Sequence, residues 1–301
     1  MLFSAAFKAK ARAALAQHWQ TALLIALIVN LPSLLVQGIA AFTHNDLLTR
    51  VQDLLLKAYT SEAAMSALPD AVRALFSETG ILVMIGLSVL AWLVTPALSM
   101  GMNHWALDRI RGEEEPVSTV FSRLNILPKS IGLRLFIVLK ILLWTLPGAA
   151  VSLLGIIPLW NAREKTGAEL ASAANLTMNI VYVGMLVMLV LGIMGYLYYA
   201  MADFILADEP GEAVLSCARR SRALMKNRRG ALMSLLLSFI LWYLLIFFAS
   251  SVVESIAGSV IALMLQMLGT LFLSVYMLVT EGVFYEALRR APVQQQEPVE
   301  S

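Results

Sequence analysis

Met178 to Leu206 reads MNIVYVGMLVMLVLGIMGYLYYAMADFIL, and its one charged residue is Asp203. A helix at a soluble surface keeps one polar face; this stretch has none. A hydrocarbon layer about 30 Å thick is crossed by about 20 apolar helical residues, so the stretch is long enough to span it. Five other stretches have the same character, from Trp19 to Phe42, Ile81 to Met102, Leu133 to Ile157, Ala231 to Val253 and Ser259 to Thr280. The 301 residues are 59% hydrophobic and 14% charged, with a mean hydropathy of +0.78. Ordinary soluble domains have roughly 45–50% and about 25%. The excess is too large for one buried core. It excludes a soluble enzyme, a disordered chain and a nucleic-acid module, and predicts an all-α integral membrane protein with six spans.

The cations orient those spans. With the N-terminus in the cytoplasm, the cytoplasmic pieces carry Lys8, Lys10, Arg12, Arg109, Arg111, Arg123, Lys129, Arg219, Arg220, Arg222, Lys226, Arg228, Arg229, Arg289 and Arg290. The outer pieces carry only Arg50, Lys57, Arg73, Arg163 and Lys165. Positive loops stay on the cytoplasmic side, so both termini are expected there. The first apolar run lacks a small-residue cleavage site and is read as a retained span rather than a signal peptide. Between spans one and two, Leu47, Leu48, Val51, Leu54, Leu55 and Ala58 recur at helical spacing, and a second short helix is expected around Val72, Leu75 and Phe76. Both would lie along the membrane surface. The tail, residues 291–301, is disordered by composition.

A threefold pattern runs through residues 1–290. Each odd span follows a basic amphipathic segment: Phe3 to His18, Val117 to Lys129 and Gly211 to Arg229. Placing Leu15 over Leu224 matches LAQHWQTALL to LMKNRRGALM without a gap. Even spans close on HWALDR, ADFILAD and EGVFYEALRR. These features describe three helical hairpins, residues 1–110, 117–208 and 211–290, each preceded by a cytoplasmic interfacial helix and related by an axis along the membrane normal. The alternative is that any basic linker before a membrane helix looks this way.

YYAMADFILADEP, SRALMKNRRG, LLLSFILW and FYEAL follow one another from Tyr198 onward. Together they resemble a bacterial family of polytopic membrane proteins of unknown function. The residues that carry the likeness are Tyr198, Tyr199, Asp208, Pro210, Ser221, Leu224, Met225, Gly230, Ser238, Phe239 and Trp242. Arg12, Leu15, Trp19 and the LWTLPG at Leu143 to Gly148 also fit. In the family, the LW…PG element runs almost directly into the tyrosine-rich one; here a long stretch of spans three and four separates Pro147 from Tyr198. The resemblance implies a bacterial cytoplasmic-membrane protein and supplies no reaction.

The chemistry-bearing residues follow from the cost of charge in lipid, at least about 2.5–3.5 kcal/mol at the bilayer centre. Lys140 lies inside span three and Arg134 at its mouth; Asp203 lies near the end of span four, Glu281 ends span six, and Asn103 holds the comparable place in span two. A pairing of Asp203 or Glu281 with Lys140 is sterically reasonable, and the five form a candidate substrate-binding or permeation cluster. A structural ion pair and snorkelling of Lys140 are the alternatives. Lys8, Lys10, Arg12, Arg219, Arg220, Arg222, Lys226, Arg228 and Arg229 are expected to meet anionic lipid headgroups, worth about 1 kcal/mol each near the surface. Asp208 is expected to cap the third interfacial helix, with Pro210 in its first turn.

Enzyme inventories fail. His18, His44 and His104 stand apart, and no nucleophile elbow or phosphate-binding glycine loop is present. Cys217, the one cysteine, lies among cations able to lower its pKa, yet is read as inert. The expected function is non-enzymatic and cofactor-free: binding or assembly of lipids or membrane-protein partners, further copies of this chain among them. A small transporter using the polar cluster is the competing class.

Overall fold

The structure, a computed structural model, describes residues 2–43 and 79–290. Among them there are helices and no strands. The segment expected to hold two surface helices between spans one and two, and the expected disordered tail, lie outside the described residues. In lipid every backbone amide must be satisfied within its own segment, which is why the apolar runs become helices.

The order is α1 (Leu2–Leu15), α2 (Trp19–Thr43), α3 (Thr79–Arg111), two 3-10 turns (Val117–Phe121 and Leu124–Ile126), α4 (Leu127–Leu154), α5 (Ile157–Asn161), α6 (Ala168–Tyr199), α7 (Ala202–Asp208), α8 (Val214–Leu224), α9 (Arg229–Ala257) and α10 (Ser259–Arg290). Six helical stretches, at the six expected places, are long and apolar enough to cross a membrane. The even spans are longer than their apolar parts: α3 runs on through HWALDRIR and α10 through EGVFYEALRR. Span four breaks at Ala200–Met201, where Ser221 of α8 donates to the Tyr198 carbonyl and accepts the Met201 amide, at 3.0 and 3.2 Å. The second interfacial segment is two 3-10 turns rather than one helix. Pro128 lies in the first turn of α4, where its missing amide costs no helical hydrogen bond, so α4 starts afresh at Leu127.

Lipid is as apolar as leucine, so packing between spans is set by close approach rather than by the hydrophobic effect. The pairs α2 with α3, α4 with α6 and α9 with α10 are in the most extensive contact. At the α4–α6 crossing a Cβ on Gly148 would sit 2.5 Å from the Met188 backbone nitrogen, and one on Gly184 2.6 Å from that of Ser152. Between α9 and α10 a single residue, Gly258 at φ 89°, reverses the chain, a conformation that glycine alone adopts freely. Gly101 admits not a neighbouring span but the backbone of Val120, whose oxygen a Cβ would strike.

The termini of the described chain lie at one end of the bundle, the polar end, where α1 rests on α10 and Phe7 meets Phe284 edge to face at 5.6 Å. The core gathers there too. Trp105 of α3, Phe204 of α7, and Phe284 and Tyr285 of α10 are fully buried, with Phe204 and Tyr285 stacked at 5.8 Å.

Burial repeats along the odd spans. Ala11, Leu15, Ala22, Ile25 and Val29 are buried, and so are Ser221, Met225, Leu232, Leu235 and Phe239, each 210 positions later. Leu15 therefore corresponds to Met225, not to Leu224 as the gapless match has it. The offset is the same before and after the turn between α8 and α9, so the two segments still match without a gap, one residue out of step with that match.

Candidate functional site

At the polar end, Arg111 leaves the last turn of α3 and joins three helices. Its Nη1 lies 2.9 Å from Asp208 Oδ1 at the end of α7, and its Nε donates to Glu286 Oε1 on α10 at 2.8 Å. Asp108 of α3 lies 4.0 Å from the same guanidinium. Arg289 adds a 2.8 Å contact to Asp208, the Tyr285 hydroxyl donates to Asp208 at 3.2 Å, and Arg290 donates to Glu286 at 3.3 Å. The carboxylate side chains are only 4–7% exposed. Three acids and three arginines balance, and Asp208 and Glu286 each have an arginine on both sides. Asp208 is thus not the cap expected of it: α8 begins at Val214 with Ala213 before it and no side-chain cap.

A signal for this hub was present in the sequence. Asn103 precedes Asp108 by five residues, Asp203 precedes Asp208 by five, and Glu281 precedes Glu286 by five. Five residues rise about 7.5 Å, so the three even spans each carry a polar group at the hub and another about one and a half turns deeper.

The deeper level holds the residues singled out from sequence. Arg134 Nη1 lies 3.8 Å from Asp203 Oδ2. That is within ion-pair range and outside hydrogen-bonding range. Glu281 is buried, 8% exposed. Glu281 Oε1 and Asp203 Oδ1 are buried with no hydrogen-bond partner among the described residues. Asn103 is buried at the matching position of α3. Lys140 stands apart: its ammonium lies 5.5 Å from the ring centroid of Phe136 on its own helix. It is six residues, about 600° of helix, beyond Arg134 and so on another face; the acid-base pair expected for Lys140 is made by Arg134.

Arg134 also lines a cleft of about 320 Å³ between α2, α3 and α4, with Ser33, Val36, Ser88, Ala91, Trp92, Thr95 and Pro96. No group of three His, Cys, Asp or Glu side chains among the described residues is placed to hold a metal ion.

The cations assigned to headgroups divide in two. Lys10, Arg12, Arg219, Arg222, Lys226 and Arg228 are exposed. Lys8 turns inward, donating to the Ser238 carbonyl at 3.3 Å over the Phe239 ring, and burial holds its ammonium below the usual lysine range. Arg220 pairs with Glu209 and Glu212, and its hydrogen bonds hold the Glu209 carboxyl below its ordinary range. Arg229 lies 3.8 Å over the Tyr198 ring. Burial pushes the Cys217 thiol up to about 11, against the lowering its cationic neighbours suggested.

No curated protein matches the chain, and no solved structure does. One family does, over residues 1–292, which is nearly the whole length. Six apolar helices, with their even ends drawn together by one arginine, are thus the architecture of a membrane-like protein that belongs to the family described as Protein of unknown function (DUF975).

Proposed function

We propose that this is a non-enzymatic binding and assembly protein of the bacterial cytoplasmic membrane, organising lipids or partner membrane proteins, with both termini in the cytoplasm. Its single domain, residues 1–290, consists of three hairpin units, each preceded by a cytoplasmic interfacial element. The 210-residue burial rhythm and the threefold spacing of five support the units. So does the placement of the short elements: the first 3-10 turn lies against α2 and α3, α8 against α4, α6 and α7, and α1 against α10, α3 and α9. The first two rest on the spans of the unit before them, and α1 bridges the last unit to the first. The excess of cations at that end supports the orientation.

The observation that carries the function is the hub. A permeation path along the axis between units would open to the cytoplasm where Arg111, Asp208 and Glu286 are locked and Trp105, Phe204 and Tyr285 are packed solid. An ionic plug in which Asp208 and Glu286 are each held by two arginines is suited to holding three units in one arrangement, and so to presenting fixed surfaces to lipids and partners. The transporter reading rests on the Arg134, Asp203 and Glu281 cluster, whose charges lie deeper than a solvated surface requires. Purification from native membranes with identification of bound lipids and proteins, beside solute flux in proteoliposomes, separates the two. Specific co-purification without flux is the expected result; flux carried by the purified chain overturns it.

A further inference from the structure

We propose that the cleft between α2, α3 and α4 binds one anionic lipid, its phosphate on Arg134 and an acyl chain along Val36, Ala91 and Trp92. The site rests on the reading of the chain as a binding protein and names its ligand class.

Among the described residues, Arg134 is the only charged one that lines the cleft. Its side chain is 50% exposed, and its distance from Asp203 leaves that pair without a hydrogen bond. A guanidinium offers five donors in a planar fork matched to a phosphate's oxygens. Here the fork has a carboxylate behind it for charge balance and open space before it. Arg111 has the opposite surroundings, with its donors spent on Asp208 and Glu286. Depth agrees as well: Arg134 is about two turns into α4, whereas the other lining residues are further from the polar ends of α2 and α3.

The remaining lining favours a lipid over a free anion. Ser88, Ala91, Trp92, Thr95 and Pro96 form one stripe of α3, and the Thr95 hydroxyl already donates to the Ala91 carbonyl at 2.7 Å. An inorganic phosphate would find one cation and a largely apolar wall. A diacyl phosphate would cover both.

The test is retention of lipid by the full chain in detergent, offered equal amounts of phosphatidylglycerol and phosphatidylcholine of the same acyl length and read by native mass spectrometry. The wild type retains phosphatidylglycerol preferentially, and Arg134→Gln lowers that preference about tenfold, a loss of about 1.4 kcal/mol. Ser33→Phe, which fills the cleft and leaves the ion pair untouched, lowers retention of the lipid itself and keeps the test decisive if Arg134→Gln misfolds. An Arg163→Gln, Lys165→Gln double variant, altered only at exposed cations of the turn before α6, retains lipid as the wild type does. Undiminished preference in Arg134→Gln, loss of preference in the double variant instead, or displacement of the lipid by inorganic phosphate overturns the site. None of these outcomes touches the binding and assembly reading, which falls on flux in the proteoliposomes.

Discussion

Arg111 and Arg134 both reach for an acid on α7, one at each end of a seven-residue helix, and their surroundings differ in kind. Arg111 touches Asp208 and Glu286 at hydrogen-bonding distance, and those acids are in turn held by Arg289, Arg290 and Tyr285. Arg134 stands 3.8 Å from Asp203, and behind that pair Glu281 is buried with a partnerless oxygen. A saturated network of charges fixes geometry, because removing any member strands another in a low-dielectric interior. An unsaturated one leaves capacity for something else. The same fold thus carries both, about one and a half turns apart, and the deeper one is where a ligand is to be sought.

The sharpest way to break this contrast is to remove each arginine in turn. Arg111→Leu strands Asp208 and Glu286 and is expected to cost about 3–5 kcal/mol, enough to abolish monodisperse protein or to lower its thermal midpoint sharply. Arg134→Leu is expected to cost under about 1 kcal/mol, since no hydrogen bond is lost and the side chain is half exposed. Both are read by fluorescence-detected size exclusion after heating in detergent. Equal losses in the two variants would erase the distinction.

Next in size is the rim of the hub. Gly101 and Asp108 are seven residues apart and so share a face of α3, and against Gly101 lies the Val120 backbone. A methyl there cannot be absorbed by a flexible side chain, because the atom it meets is a carbonyl oxygen. Gly101→Ala is expected to cost about 1–3 kcal/mol, measured by the same thermal assay. Gly86, around which a Cβ would meet nothing within 4 Å, is the control on the same helix and should tolerate alanine without loss.

How much of this was legible beforehand depends on what each residue's neighbours are. The six spans were readable because apolar length alone decides them. The likeness of HWALDR, ADFILAD and EGVFYEALRR was visible, but not that their acids meet. Arg111 counts in a sequence as one more cytoplasmic cation, and nothing local distinguishes a solvated arginine from one enclosed by two other helices. Asp203 and Glu281 were found because a carboxylate inside an apolar run is conspicuous without any knowledge of contacts. Their cation was misassigned: Lys140 is the more deeply embedded in the run, but helical phase, not depth, decides which face meets α7. The register of the first and third units slipped by one because letter-by-letter likeness does not say which residues face the core, and burial does.

The deeper acids give a prediction of opposite sign to the hub's. Glu281 is buried with an oxygen that has no hydrogen-bond partner among the described residues, so Glu281→Gln strands no cation and removes a burial cost. Stability should be unchanged or higher by about 1 kcal/mol. Glu286→Gln, five residues on, should lose stability, because it weakens the contacts with Arg111 and Arg290. A thermal comparison of the two glutamines on one helix holds composition constant and varies only the surroundings.

The smallest expected effect comes from a third acid–arginine pair, in which Glu209, in the turn before α8, is bidentate to Arg220 of α8, with both side chains 38% exposed. The Arg220 hydrogen bonds lower the Glu209 carboxyl's pKa in the folded chain. A lowered acid contributes stability that is present in full above its unfolded value, about 4.3, and is lost as the pH falls through the folded value. Solvent screening keeps that contribution under about 1 kcal/mol. Glu209→Gln should therefore melt slightly below the wild type at pH 7, and the gap should close on acidification below pH 4. A gap as wide as that of Glu286→Gln would mean that exposure does not separate the two pairs.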